Sequence, residues 1–212
     1  MELKLILEAI LFAATKPMRA AELALAVRKG ADGASLEEGA CFAKTTEGEV
    51  EAALRELRED WRDRAIFLQE IAGGWQLGTA PRFARWVGGQ VTEPKPARMS
   101  QPALETLAVI AYRQPISRAE IEAVRGVAVS GVLETLVERG VVRVAGRADI
   151  PGRPLIYETT ELFLEHFGLK DLRELPNAEE LRRAKLPEPP DPEVVAAQPE
   201  LLHEPNPVAS ED

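Results

Sequence analysis

The 212-residue chain is poor in the side chains that build disulfides, metal centres and nucleophilic sites, with one cysteine, Cys41, and two histidines, His166 and His203. A lone cysteine excludes an intrachain disulfide, and these residues are too few for a Cys/His zinc cluster, so no metal site is expected. No apolar run approaches the roughly 20 residues that cross a bilayer, which excludes a helical membrane anchor. The apolar start at residues 3–14 follows Glu2 and is broken by Glu8, whereas a secretory h-region is uncharged, so a cytoplasmic location is expected. Catalytic signatures are missing too. The chain has no Gly-x-x-x-x-Gly-Lys loop, and Gly73-Gly74 lacks the strand-to-helix context of a phosphate cradle. His166 sits beside Phe163 and Phe167 on an apolar helix, and carboxylate pairs such as Glu37-Glu38 have no apolar pocket to shift them. The expectation is no enzymatic activity and no cofactor.

Aromatic residues make up 5% and charged residues 29%, a balance that suits helices better than a β-sandwich. The net charge of −9 is unevenly placed, because residues 177–212 hold nine acids and three bases and residues 1–176 carry the remaining −3. A basic electrostatic footprint, the cheapest sign of a DNA binder, is therefore lacking.

What the chain does have is an internal repeat. At an offset of 98, residues 10–23 (ILFAATKPMRAAEL) fall on residues 108–121 (AVIAYRQPISRAEI), pairing Pro17 with Pro115, Glu22 with Glu120 and Leu23 with Ile121. Further on the offset falls to 82, setting Val50 and Leu54 against Val132 and Leu136, so the first copy holds 16 extra residues within the polar stretch 30–46.

Each copy reads as three helices and a hairpin. In the first, Leu3, Leu7, Ile10, Leu11 and Ala14 recur at helical spacing, and a second helix spans 20–28. Thr46 and Glu49 form a capping box for a third helix that buries Val50, Ala53, Leu54, Leu57 and Trp61. Strands at 66–71 and 75–79 flank a Gly73-Gly74 turn, and a short helix at 81–87 closes the domain. In the second copy Ser100 caps a helix whose face is Leu104, Leu107, Ala108 and Ala111. Ser117 and Glu120 form another capping box, with Ile116 and Ile121 as its staple. A third helix at 129–139 buries Val132, Leu133, Leu136 and Val137 and ends at a left-handed Gly140. Strands at 141–145 and 155–159 enclose the loop 146–154, and a last helix at 160–167 packs Leu162, Phe163 and His166 or Phe167 on the core.

Three helices followed by a β-hairpin is the winged-helix order. The expected fold is mainly α with small β-hairpins (α+β): two tandem winged-helix domains at 1–90 (insertion 30–46) and 100–176, joined by a linker at 91–99. Eight of the 16 prolines lie from Pro176 onward. A Pro-rich acidic tail at 177–212 is expected to be disordered beyond a short helix at 178–185.

Particular residues resemble a known family. The run LETLAVIAYRQPI at 104–116, then Arg118, Glu120, Ile121 and Arg125-Gly126-Val127, with Gly152-Arg153-Pro154, Tyr157, Thr159-Thr160 and Phe167-Gly168-Leu169, is similar to segregation and condensation protein B, ScpB. Gly73-Gly74-Trp75-Gln76-Leu77 resembles that family's wing turn, and the likeness covers residues 1–176. Ala128-Val129 depart from the small polar cap the family tends to place there, which leaves Ser130 to cap the third helix, and the insertion 30–46 is longer than usual. The resemblance implies a homodimer joined through the first winged helix that binds the kleisin ScpA and, through it, the SMC ATPase. Its role would be chromosome condensation and segregation at the nucleoid, with ATP hydrolysis left to SMC.

The residues speak to partners independently. The alternative is a winged-helix DNA-binding transcriptional regulator. Between positions 47 and 64 seven acids face four arginines, the wrong sign for phosphate contact, and Glu134 and Glu138 oppose Arg139 in the second copy, so direct DNA binding is expected to be weak or absent. Arg143, Arg147 and Arg153 make the second wing basic; they either touch phosphate or, in Arg153's case, hold the loop by binding its carbonyls. Leu5, Ala9 and Phe12 form a second apolar face on the first helix, to be covered by a second copy or by a closing helix. Val109, Tyr112, Arg113, Gln114 and Pro115 are either a kleisin docking patch or structural.

Overall fold

The computed structural model describes residues 2–33, 40–89 and 98–183. Parts of the expected segments, 34–39 of the insertion, 90 at the end of the first domain, 91–97 of the linker and 184–212 of the tail, lie outside the described residues, as does residue 1. The rest is mostly helical with small antiparallel sheets, arranged as two tandem winged-helix units around two separate hydrophobic cores.

In the first unit α1 (Leu3–Ala13) buries Leu7 and Leu11 against α2 (Ala20–Asp32) and α3 (Glu47–Asp60). Helix α2 runs past the expected end at 28, because Lys29 and residues 30–32 of the polar insertion continue the helix. The capping box is as the sequence predicts: Thr46 Oγ1 accepts from the Glu49 N–H at 3.3 Å, and the Thr46 N–H donates to Glu49 Oε2 at 2.7 Å. Strands β1 (Ile66–Ile71) and β2 (Gly74–Thr79) pair from Ile66↔Thr79 to Ile71↔Gly74.

That register moves the turn. Its corner residues are Ala72 and Gly73, both with positive φ (51° and 68°), as a two-residue hairpin of type I′ demands. Gly74 serves packing instead: a Cβ there would meet Met18 N and Pro17 Cβ at 3.0 Å, where Met18 forms a β-bridge to Trp75. The closing segment is a 3₁₀ turn (Pro81–Phe83) running into α4 (Ala84–Gly88). It buries none of its side chains, and Trp86 is 70% exposed. This segment therefore does not close the core as expected; Arg82 ties it down by donating to the Asp63 carbonyl at 2.7 Å.

In the second unit Ser100 caps α5 (Gln101–Arg113), accepting from the Ala103 N–H. Its buried row is Ala103, Thr106, Leu107, Ile110 and Ala111, while Leu104 and Ala108 are exposed, a rotation from the expected stripe. Small side chains at 103, 106 and 111 let α5 approach α7 closely, and that approach decides the face. Strand β3 (Ile116–Ser117), missed in the sequence, precedes α6 (Arg118–Arg125), and Ile116 and Ile121 are both buried as a staple should be.

Helix α7 (Ser130–Glu138) starts without a side-chain cap of its own. Ser130 is its first helical residue rather than its cap, and Glu122 accepts the Val129 N–H at 3.1 Å instead. Leu133 and Leu136 are buried, Val132 is half-buried, and Val137 is exposed, contrary to expectation. Gly140 holds φ 72° after the helix, as expected. Strands β4 (Val142–Arg147) and β5 (Leu155–Thr159) complete a sheet of order β3-β5-β4, so β5 is central. On α8 (Glu161–Phe167) Phe163 alone is buried; Leu162, His166 and Phe167 are exposed, because seven residues present one narrow stripe. Beyond it come a 3₁₀ turn (Leu172–Glu174), whose Leu172 packs on the second core, and α9 (Ala178–Arg183), which lies against α5 with Ala178 buried.

Candidate partner-binding surfaces

Helix α1 is fixed to α3 by charge as well as by its core stripe. Lys4 Nζ lies 2.9 Å from Asp60 and 3.5 Å from Glu56, and the hydrogen bond to Asp60 holds the Lys4 pKa above the ordinary lysine value. With Leu7 and Leu11 committed inward, Leu5, Ala9 and Phe12 face outward: Leu5 is 58% and Phe12 80% exposed. No closing helix covers this face among the described residues, and the sequence-derived trio stands on the surface as one apolar strip. A benzyl group that exposed gains little from the folding of this chain alone.

The second candidate surface is largely spoken for. Tyr112 donates its hydroxyl to the Pro176 carbonyl at 3.0 Å, and Val109 is half-buried against the second core. Gln114 ties the end of α5 to β5, its Oε1 accepting the Thr159 N–H at 2.5 Å and its Nε2 donating to Thr159 Oγ1 at 2.9 Å. Arg113 is half-buried, and Pro115, which follows a cis peptide bond, is exposed. The chain's own segment beyond α8 lies over α5 at Tyr112, so this patch is not free as it stands.

On the second wing, Arg143 pairs with Glu158 across the strands. Arg147 Nη1 donates to the Arg153 carbonyl at 3.0 Å. The guanidinium that ties the loop is thus that of Arg147; Arg153 supplies a carbonyl and a strained corner at φ 40°. Two of the three wing arginines, Arg143 and Arg147, are thus engaged inside the protein.

Two grooves escaped the sequence reading because their walls had been counted as core. One, about 480 Å³, is lined by Met99, Leu104, Val141 and Leu162 and rimmed by Arg98, Arg139 and His166. The other, about 300 Å³, runs between α7 and the wing, with Val137, Val144 and Tyr157 on its walls and Glu134, Glu138 and Arg118 as its charged residues. On α7 itself the charged side chains lining this groove are Glu134 and Glu138, which disfavour a phosphate backbone there. Among the described residues no group of three or more His, Cys, Asp or Glu could hold a metal ion, and no helix is long and apolar enough to cross a membrane.

Residues 5–178 match the family model for the segregation and condensation complex subunit ScpB. This chain belongs to the ScpB family. It is 42% identical over 181 residues to segregation and condensation protein B of Syntrophotalea carbinolica, covering 84% of this chain and 83% of that protein. Among solved structures it is similar to ScpB from Mycobacterium tuberculosis, at 36% identity, covering 79% of this chain and 96% of that one, with a TM-score of 0.35. It is also similar to a dimer of ScpB N-terminal domain complexed with ScpA peptide, at 26% identity, covering 44% of this chain and 92% of that one, with a TM-score of 0.32. Superpositions that poor carry no argument about how this chain is arranged. The ScpB identity rests on the sequence matches, and with it the role of a condensation-complex subunit.

Proposed function

We propose that this chain is a non-enzymatic adaptor that forms a homodimer through the first winged-helix unit and binds the kleisin ScpA. Through the kleisin it joins the SMC ATPase in condensing and segregating chromosomes, in the cytoplasm at the nucleoid. The domain bounds proposed with it are 1–90 for the dimerising unit and 100–176 for the second. The observation that carries the reading is the exposed strip Leu5, Ala9 and Phe12 on a helix whose opposite side is already in the core. A second copy of the same strip supplies an apolar partner of matching size, and a two-fold contact is self-complementary. The acidic face of α3 and the acidic rim on α7 favour polypeptide over nucleic acid as the further partner.

The test is to mix the purified chain with the kleisin and with duplex DNA. The adaptor gives a stable complex with the kleisin and only weak DNA binding at moderate salt. Tight DNA binding with a steep salt slope, together with indifference to the kleisin, overturns the reading in favour of a transcriptional regulator.

A further inference from the structure

The two units meet through backbone and charge rather than through a broad apolar face. At the tip of the first wing, positive φ at Ala72 and Gly73 turns their N–H groups off the end of the hairpin. In a free two-residue turn these groups face water. Here Ala72 donates to the Leu169 carbonyl at 2.9 Å and Gly73 to the Lys170 carbonyl at 3.0 Å.

Both acceptors are set by local structure in the second unit. Helix α8 ends at the left-handed Gly168 (φ 67°), after which Leu169 packs on the second core and donates its N–H to the Leu164 carbonyl at 2.9 Å. The Lys170 N–H is held by Glu174 Oε2 at 2.7 Å, leaving both carbonyls aimed outward. Two ion pairs flank them. Lys170 Nζ lies 2.7 Å from Glu70 Oε1 at the end of β1, and Arg19 pairs with Glu161 at the start of α8. Arg19 is adjacent to Met18, which is bridged to Trp75, so the first unit presents a rigid edge. Ile71, beside the turn, is 5% exposed although it belongs to neither core.

We propose that these contacts form a releasable latch: the wing turn Ala72-Gly73 grips the carbonyls of Leu169 and Lys170 and holds the two winged helices in one orientation, with Ile71 sealed beneath. Each connection is weak. Ion pairs that reach solvent, as both of these do, contribute little and weaken as salt rises. Closed and open forms therefore differ modestly in free energy, and ionic strength or charge at position 170 moves the balance.

The experiment compares the full chain with K170E and with the charge-swapped double variant K170E/E70K. It reads amide hydrogen exchange at Ala72 and Gly73, the environment of the Ile71 methyls by NMR, and the radius of gyration at fixed protein concentration. Lys170 is exposed enough to be changed without touching either core, which a thermal melt verifies. In the latched protein Ala72 and Gly73 are protected. K170E, which sets a carboxylate beside Glu70, raises their exchange roughly threefold to tenfold, shifts the Ile71 methyls and expands the molecule. The swap restores all three. Unprotected Ala72 and Gly73 in the unmodified chain, an unchanged K170E, or a double variant as loose as K170E would overturn the latch.

Discussion

The two winged helices share an order of elements but treat their first helices oppositely. In the first unit Phe12 is open to solvent, whereas Tyr112, at the same place in the last turn of the second unit's first helix, is half-buried and donates its hydroxyl to the Pro176 carbonyl. The offset that aligns Leu23 with Ile121, both fully buried, does not carry through the preceding helix. The closing elements differ in step with this: α8 inserts Phe163 into the second core, while α4 buries nothing in the first. One fold thus leaves an apolar face vacant in one copy, and in the other lays its own segment beyond α8 over the corresponding helix.

Equal core changes give the sharpest control on that comparison. Leu54→Ala in the first unit and Leu136→Ala in the second, both fully buried, are each expected to cost about 2–5 kcal/mol in denaturant unfolding. A much smaller loss for one of them would mean that its unit lacks the well-packed core the comparison assumes. Next in size is the dimer contact. Phe12→Glu is expected to weaken self-association by about tenfold or more and to lower the sedimentation mass toward a monomer, with unfolding free energy shifted by no more than about 0.5 kcal/mol. An unchanged mass would break the contrast between the two first helices.

Smaller again is the capping box of the second unit. Ser117→Ala removes the acceptor of the Glu120 N–H and is expected to cost about 1 kcal/mol, read by chemical denaturation. The smallest effects come from pH, and in the first-helix contacts they lie at opposite ends of the scale. Hydrogen bonding to Asp60 raises the Lys4 pKa, so the support it gives α1 is complete below the ordinary lysine value of 10.5 and is lost as pH rises through the higher folded value. Glu105 is lowered by its hydrogen bonds to Gln101 and then to Arg125, so its support of α5 is present above 4.5 and lost as pH falls through the lower folded value. Amide exchange should therefore loosen the α1–α3 contact first in alkali and the α5–α6 contact in acid; the reverse order would contradict both assignments.

Much of this was legible in the residues themselves. The boxes at Thr46/Glu49 and Ser117/Glu120 marked helix starts, because the partners that satisfy the free N–H groups lie within three residues. The hairpins were legible from the change of period. Strand β3 was not, since two residues carry no alternation and Ile116 had already been counted as a staple. Of the candidate surfaces, the Leu5–Phe12 strip stands exposed as the sequence suggested. For the Val109–Pro115 patch the sequence left a docking role and a structural one open, and nothing within that segment reveals that Gln114 binds Thr159 or that Pro176 crosses Tyr112, since these partners lie 45 and 64 residues away. Leu104, Val137 and Leu162 were placed in the core for the same reason, and they line grooves instead.

By itself the sequence determined the order of elements, their caps and the existence of two cores, and through the run at 104–116 it pointed to the family, because each depends on neighbours within a turn or a repeat. Only the tertiary structure decided which side of each helix is covered, which wing arginine ties the loop, and how the first wing grips the segment after α8. Those outcomes are set by groups that meet across long stretches of chain, where closeness of packing, rather than local preference, chooses the face.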